Sequence, residues 1–392
     1  MDREQLVQRV AQGYVDAGLF SNIEWRAEQH GRVLSSGAIG YADATEKRPL
    51  PDGAIYRIYS MTKPVVSMIA MMLVERGVMR LFDPIARFDP GFAKLKVLQT
   101  NGQLVPLERP VTVEDLLTHR AGFTYEFIGG CHVAPHYIRE RVSSDGECSF
   151  QEMMERLQHI PLASQPGQQF RYSVSTDVLA WICERATGRG IDELAEEFIL
   201  KPLDMRDTAF HVPASKQNRL MPMFGIAALD QFMSAMPDNH SLVRIDVERA
   251  YPSTKPGEFR RGGHGLFSTL DDYMKFTRLL LTGETPDGQR LLSRKAFEAM
   301  IFNRLTPAQL PPTVGIRVLS GFGFGLGFRV MMDPGQSPSI ISEGEFGWSG
   351  AAQTYFWVDP KEQVTCCIMT QYLGSMLPMP DDMRTAINQM LV

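Results

Sequence analysis

The 392-residue sequence is poor in cysteine, and the few it has are scattered. Cys131, Cys148, Cys183, Cys366 and Cys367 form an odd set with no Cys-x-x-Cys spacing, which excludes a disulfide framework and a zinc ribbon. Cys183, within VLAWICERATG, reads as a small packed hydrophobe. No uninterrupted apolar run reaches transmembrane length, so no membrane partner is expected. The opening MDREQLVQRV carries early charges where a secretory signal would be apolar, so a cytoplasmic location is expected. Neither charge dominates: 40 Lys and Arg stand against 45 Asp and Glu, a net charge of -5. That balance offers nothing to nucleic acid. There is no Gly-x-Ser-x-Gly, hence no α/β-hydrolase nucleophile elbow. Internal repeats and low-complexity tracts are absent, and no feature fixes an oligomeric state.

What is present is the balance of an ordinary globular protein, 44% hydrophobic and 22% charged. The length fits one large or two interlocked domains. Residues 3–18 pattern as an amphipathic helix. Residues 23–28 and 32–42 alternate around His30-Gly31 and predict a hairpin. IYRIY (55–59) predicts a short strand, and a helix follows from about Ser60 to Glu75, ending before Gly77. Met68, Met71 and Met72 share that helix and read as core. From about 80 to 205 helical patterns dominate, among them VTVEDLLTHRAG, SFQEMMERLQH, TDVLAWICERATGRG and IDELAEEFILKPL. Thr112 ahead of Glu114 and Asp115 signals a helix start, and Gly188 and Gly190 signal a stop. A long irregular stretch runs from 211 to 260. Two late strands, QTYFWVD and QVTCCIMTQ, precede a C-terminal helix from about Asp381. They resemble the first hairpin, so the two chain ends are expected to share one antiparallel sheet.

Ser60-Met61-Thr62-Lys63 is the single Ser-x-x-Lys in the chain. A serine hydroxyl is a poor nucleophile until a base takes its proton. Three residues along a helix put Lys63 on the face of Ser60. The helix N-terminus adds free N–H groups where an oxyanion would form. The alternative is a plain N-cap serine beside a solvated lysine. Context favours the chemical reading. Tyr172 stands just before a helix, after a Pro-Gly turn, in PGQQFRYSVSTDVLAWICERATG. Trp348-Ser349-Gly350 leads into a late strand. LLTHRAG (116–122), GGHGLFSTLDDY (262–273) and FGLGF (324–328) complete an ordered set.

In these motifs, over roughly residues 30–372, the chain resembles the penicillin-recognising serine hydrolases of the class C β-lactamase type, and among them the family VIII carboxylesterases. The resemblance implies a β-lactamase/transpeptidase-like α/β fold (α+β). Helices would flank an antiparallel sheet built from residues 1–80 and 206–392, with an all-helical domain, 81–205, inserted. It implies Ser60 as the acylated serine, Lys63 as its partner and Tyr172 as the tyrosine sharing base duty. Trp348, Ser349 and Gly350 fall where lactamases have Lys-Thr-Gly. The oxyanion hole would be the N–H groups of Ser60 and Ala351. Trp348, Ser349, Gly350, Tyr125 and Val174 would contact the substrate, with Tyr125 and Phe127 lining the acyl pocket.

A phenol titrates near 10 in water and needs a cation nearby to serve as a base, so Lys63 and Tyr172 are expected to titrate as one coupled pair. Two departures from the lactamase pattern matter. Val174 stands where lactamases carry an asparagine, and offers no hydrogen bond to a substrate amide. Trp348 replaces the cation that would pair a β-lactam carboxylate. Both changes imply a neutral small-molecule ester as the substrate, cleaved through an acyl-enzyme without metal or organic cofactor. The rival readings are a β-lactamase or D-Ala-D-Ala peptidase, an acyltransferase, and an inactive binding protein on the same scaffold. His119 with Asp115 reads as a hydrogen-bonded structural turn, and His264 reads equally as a residue near the expected cleft or as a structural one in its turn. Cys131, His132 and His136 lack a fourth ligand at zinc spacing.

Overall fold

The structure, a computed structural model, describes residues 3–142, 147–225, 242–374 and 376–391. Most of the stretch expected to be irregular at 211–260 is described, but its middle, 226–241, lies outside these residues.

Helix α1 (Arg3–Asp16) opens the chain. Strands β1 (Asn22–Gln29) and β2 (Arg32–Gly40) follow as the expected hairpin. Its turn places His30 at φ 51° and Gly31 at φ 72°, the paired left-handed residues that a tight two-residue hairpin turn requires. The later strands are β3 (Phe322–Phe324), β4 (Arg329–Met331), β5 (Phe346–Ser349), β6 (Tyr355–Asp359) and β7 (Val364–Met369). They join the hairpin in one antiparallel sheet of order β3-β4-β5-β6-β7-β1-β2. β1 pairs β7 with Trp25 opposite Ile368 and Ala27 opposite Cys366. The chain ends therefore share a sheet, as the hydrophobic patterning predicts.

β6 and β7 are buried along their whole length, because both faces of the sheet are covered. Tyr355, Trp357, Cys366 and Ile368 point into a core under α1 and α10 (Met379–Asn388). Phe356, Val358, Cys367 and Met369 point the other way, into the larger core against α8 (Leu270–Thr282) and α2 (Thr62–Glu75). α2 runs through this core with Thr62 to Leu73 buried, Met68, Met71 and Met72 among them. Pro64 falls in its first turn, where a missing N–H leaves no hydrogen bond unmade.

Between residues 81 and 205 lie α3 (Val113–Leu117), α4 (Ala134–Arg139), α5 (Phe150–Leu157), α6 (Ser175–Thr187) and α7 (Ile191–Ala195). α3 starts at a capping box in which Thr112 and Asp115 exchange hydrogen bonds. Gly188 ends α6 at φ 72°, while Gly190, expected as a second stop, is instead the residue on which α7 begins. The segment is not purely helical: Lys96–Leu98 pairs antiparallel with Leu104–Pro106. Each of those strands is three residues long, too short to show an alternation in the sequence. A further helix, α9 (Arg294–Ile301), packs beside the sheet. All five cysteines are free and buried. Among the described residues, no helix is long and apolar enough to cross a membrane.

Candidate active site

The N-terminus of α2 meets the end of β5 and the start of α6, and the predicted residues gather at that junction. Ser60 lies in a 3-10 turn, Tyr59–Met61, that runs directly into α2. The residue before it, Tyr59, is held at φ 45°, a conformation that costs a non-glycine residue about 1–3 kcal/mol and persists only where neighbours enforce it. The enforcement is visible. The Met61 carbonyl accepts from the Tyr273 hydroxyl at 2.8 Å. Thr62 Oγ1 accepts the Leu266 N–H at 3.0 Å, and the Ile58 N–H donates to the Leu266 carbonyl at 3.2 Å.

Lys63 is 2% exposed and sits one turn on. Its Nζ donates to Ser60 Oγ at 3.1 Å, to the Tyr125 hydroxyl at 3.0 Å and to the Gly263 carbonyl at 2.7 Å. Three acceptors match the three protons of an ammonium. Nζ also stands 4.7 Å from the centroid of the Tyr172 ring, a cation placed over a phenol face.

The Tyr172 hydroxyl lies 2.7 Å from Ser60 Oγ. The segment carrying it is stapled to the loop after α3: the Arg171 N–H donates to the His119 carbonyl at 2.8 Å, and the Gly167 N–H to the Arg120 carbonyl at 2.8 Å. His119 itself has φ 54°. Its ring packs 4.8 Å from that of Tyr172 and 5.5 Å from that of Phe324, with Nδ1 3.3 Å from Ser173 Oγ. Burial, reinforced by the Lys63 charge, pushes the His119 imidazole well below its ordinary value, so it is a neutral support for Tyr172 at physiological pH. Asp115 is not its partner. That carboxylate is taken by Arg109 at 2.8 Å and by the Thr112 cap, as a structural turn requires.

On the sheet side, the Trp348 indole N–H reaches the Tyr172 hydroxyl at 3.4 Å, and its ring packs on Phe324. Ser349, Gly350 and Ala351 follow, each half-buried. A Cβ at Gly350 would stand 2.4 Å from the Ile58 carbonyl oxygen and 2.2 Å from Thr354 Oγ1. Glycine therefore lets the strand end lie directly against the turn bearing Ser60. The Gly350 N–H is consumed by the Thr354 carbonyl at 2.8 Å, whereas the Ala351 N–H donates to no other backbone group among the described residues.

Two expected pocket residues sit differently. Val174 is 1% exposed, a core residue preceding α6 that presents no surface to a bound molecule. Tyr125 is 6% exposed and belongs to the Lys63 hydrogen-bond shell, with Phe127 stacked on it at 4.8 Å and facing solvent. His264 packs on Tyr59 at 6.4 Å. Sequence reasoning missed the Gly263 carbonyl, because a main-chain acceptor leaves no mark in residue identity. It also missed Asp177, whose Oδ1 accepts the Gly263 N–H at 2.9 Å. His132 Nε2 bonds the Leu98 carbonyl and His136 Nδ1 bonds Arg139. No cluster of three or more His, Cys, Asp or Glu suited to a metal ion occurs among the described residues.

A serine, a lysine and a tyrosine converging at the meeting of an antiparallel sheet and a helical layer define a serine hydrolase of β-lactamase fold. The chain belongs to the Beta-lactamase family, whose model matches residues 7–388. An uncharacterized protein of Mycobacterium tuberculosis is 33% identical over 365 residues, 91% of this chain and 87% of that one. Esterase EstB of Burkholderia gladioli is 28% identical over 384 residues, 92% of this chain and 88% of that one. The fold is shared with EstCE1, a hydrolase with promiscuous acyltransferase activity, at a TM-score of 0.82 and 23% identity over 98% of both chains. It is also shared with a family VIII carboxylesterase, at 0.72 and 18% identity over 100% of this chain and 98% of that one.

Proposed function

We propose that this chain is a carboxylesterase acting on short-to-medium acyl esters through an acyl-enzyme on Ser60. The observation that carries the reading is the 2.7 Å contact between the Tyr172 hydroxyl and Ser60 Oγ, with Lys63 Nζ 3.1 Å from the same oxygen. In the proposed cycle the Tyr172–Lys63 pair takes the Ser60 proton as Oγ attacks the ester carbonyl. The Ser60 and Ala351 N–H groups hold the oxyanion. The pair returns the proton to the departing alcohol. Water then attacks the acyl-enzyme, giving its proton to the same pair, and the carboxylic acid leaves as Ser60 recovers its hydrogen.

Ester in preference to β-lactam follows from Trp348. Its single N–H is directed to Tyr172, which leaves no donor there for a substrate carboxylate. The identity to an esterase supports the same choice. The test is Ser60→Ala assayed on p-nitrophenyl butyrate. A fall in kcat of about 10⁴-fold or more is expected, and retained turnover in a folded variant removes the reading. A nitrocefin assay on the wild type is expected to show far slower turnover than the ester.

A further inference from the structure

Asp177 is a buried carboxylate that the proposed cycle does not use. It is 0% exposed and lies in the first turn of α6. Oδ1 accepts the Gly263 N–H at 2.9 Å, while Oδ2 is sealed from solvent with no hydrogen-bond partner among the described residues. A buried carboxylate with one hydrogen bond is costly unless a compensating charge stands near. The other end of Gly263 supplies the connection: its carbonyl accepts from Lys63 Nζ at 2.7 Å. One glycine is thus held by Asp177 at its N–H and by Lys63 at its C=O.

The turn is shaped for this. A Cβ at Gly263 would stand 2.4 Å from Asp177 Oδ2, and one at Gly262 would stand 2.6 Å from the Thr176 carbonyl and 2.5 Å from Ala180 Cβ. Two successive glycines let the turn lie flat on the start of α6, where the helix N-terminus also favours a negative charge.

We infer that Asp177 is a positioning residue and counter-charge for Lys63, acting through the Gly262-Gly263 turn; this rests on the Ser60 reading above. Asp177 fixes the carbonyl that orients the Lys63 ammonium, and its charge favours the protonated state of the Lys63–Tyr172 pair. Among the described residues, these charged and titratable groups stand around that pair. Tyr125 and His119 face it from the segment after α3, with His119 neutral. His264 lies on the glycine turn and packs on Tyr59. Arg261 precedes the turn, and its guanidinium contacts include Met153 Sδ and Cys148 Sγ. Asp177 contributes the carboxylate from α6.

The experiment compares the wild type with Asp177→Asn. Asparagine keeps an oxygen to accept the Gly263 N–H and removes the charge. Two readouts are taken from pH 5 to 10: the rate of Ser60 phosphonylation by a p-nitrophenyl alkylphosphonate, and kcat and KM on p-nitrophenyl butyrate. Losing a buried negative charge makes the pair release protons more readily, so the pH–rate profile moves about one unit toward lower pH. kcat at the plateau falls about tenfold or more, while KM stays within about twofold, because Asp177 touches no substrate. Superimposable profiles, whatever the plateau, overturn the inference, since a merely structural aspartate alters rate without displacing pH dependence. No adduct on wild-type Ser60 removes the underlying reading and the inference with it. If Asp177→Asn does not fold, Gly263→Ala serves. Its methyl group displaces the carbonyl from Lys63 with both charges kept, so kcat falls at constant KM, and an unchanged kcat overturns the inference.

Discussion

Ser60 Oγ has two polar neighbours, Lys63 and Tyr172, and proton counting separates their duties. An ammonium at Lys63 gives all three hydrogens to Ser60, Tyr125 and Gly263. Held that way it has no lone pair to accept the Ser60 proton. The Tyr172 oxygen is the remaining acceptor, and the Trp348 N–H points to it. We therefore propose Tyr172 as the group of the pair that receives the Ser60 proton, with Lys63 as the cation beside it. His119 supports the phenol from behind, and its burial has a measurable cost. In the unfolded chain the imidazole takes a proton near pH 6.5; in the folded protein its value is well below that. Below pH 6.5 the unfolded state binds more protons, so the His119 contribution destabilises the fold progressively as pH falls. His119→Asn tolerates the left-handed backbone and lacks this proton. Thermal unfolding at pH 7.5, 6 and 5 is expected to show the stability gap between wild type and variant narrowing as pH drops. A constant gap contradicts a neutral buried histidine.

Three elements place these residues, and each does so through a local feature that sequence shows to a different degree. The Ser-x-x-Lys spacing survives in the structure because the 3-10 turn and α2 are continuous. Tyr172 is legible because a Pro-Gly turn and a helix start bracket it. The burial of Val174 was not legible, because it is set by tertiary packing before α6 and not by its place in a motif. The Gly263 carbonyl and the short 96–106 hairpin were invisible for want of any side-chain pattern. Gly350 sits between these cases: its triplet was readable, and its reason is steric. Gly350→Ala drives a methyl group against the Ile58 carbonyl and pushes the Ala351 N–H away from Ser60. Esterase kcat is expected to fall by about 10²–10³-fold, the value of one oxyanion donor, beyond a stability loss of about 1–3 kcal/mol from the clash, with kcat compared at a temperature where both proteins are folded. Full activity in this variant would exclude the Ala351 N–H from the oxyanion hole.

At the scale of the whole molecule the sheet separates the two largest cores, and the larger one holds Tyr125, Tyr172 and Trp348, while two smaller clusters pack against Tyr59 and Ala351. The core under α1 and α10, with Trp25 and Trp357, includes none of Ser60, Lys63, Tyr125, Tyr172 or Trp348. Its existence was legible in the hydrophobic strands at both chain ends, whereas the order of the seven strands depends on long-range pairing that no local pattern encodes. Trp25 is 1% exposed, donates to Ser35 Oγ at 3.0 Å and lies over Gly37. Trp25→Ala is expected to cost about 3–5 kcal/mol of stability in denaturant unfolding and to leave kcat unchanged at temperatures where the variant is folded. A selective loss of kcat would mean that the two cores are coupled.

Intact-mass spectrometry after treatment with a p-nitrophenyl alkylphosphonate addresses the convergence of Ser60, Lys63 and Tyr172 most directly. One adduct per chain is expected, mapping to Ser60, formed about 10²–10⁴-fold more slowly in Tyr172→Phe. An adduct on another residue, or equal rates in the two proteins, would contradict Ser60 as the nucleophile or Tyr172 as its base.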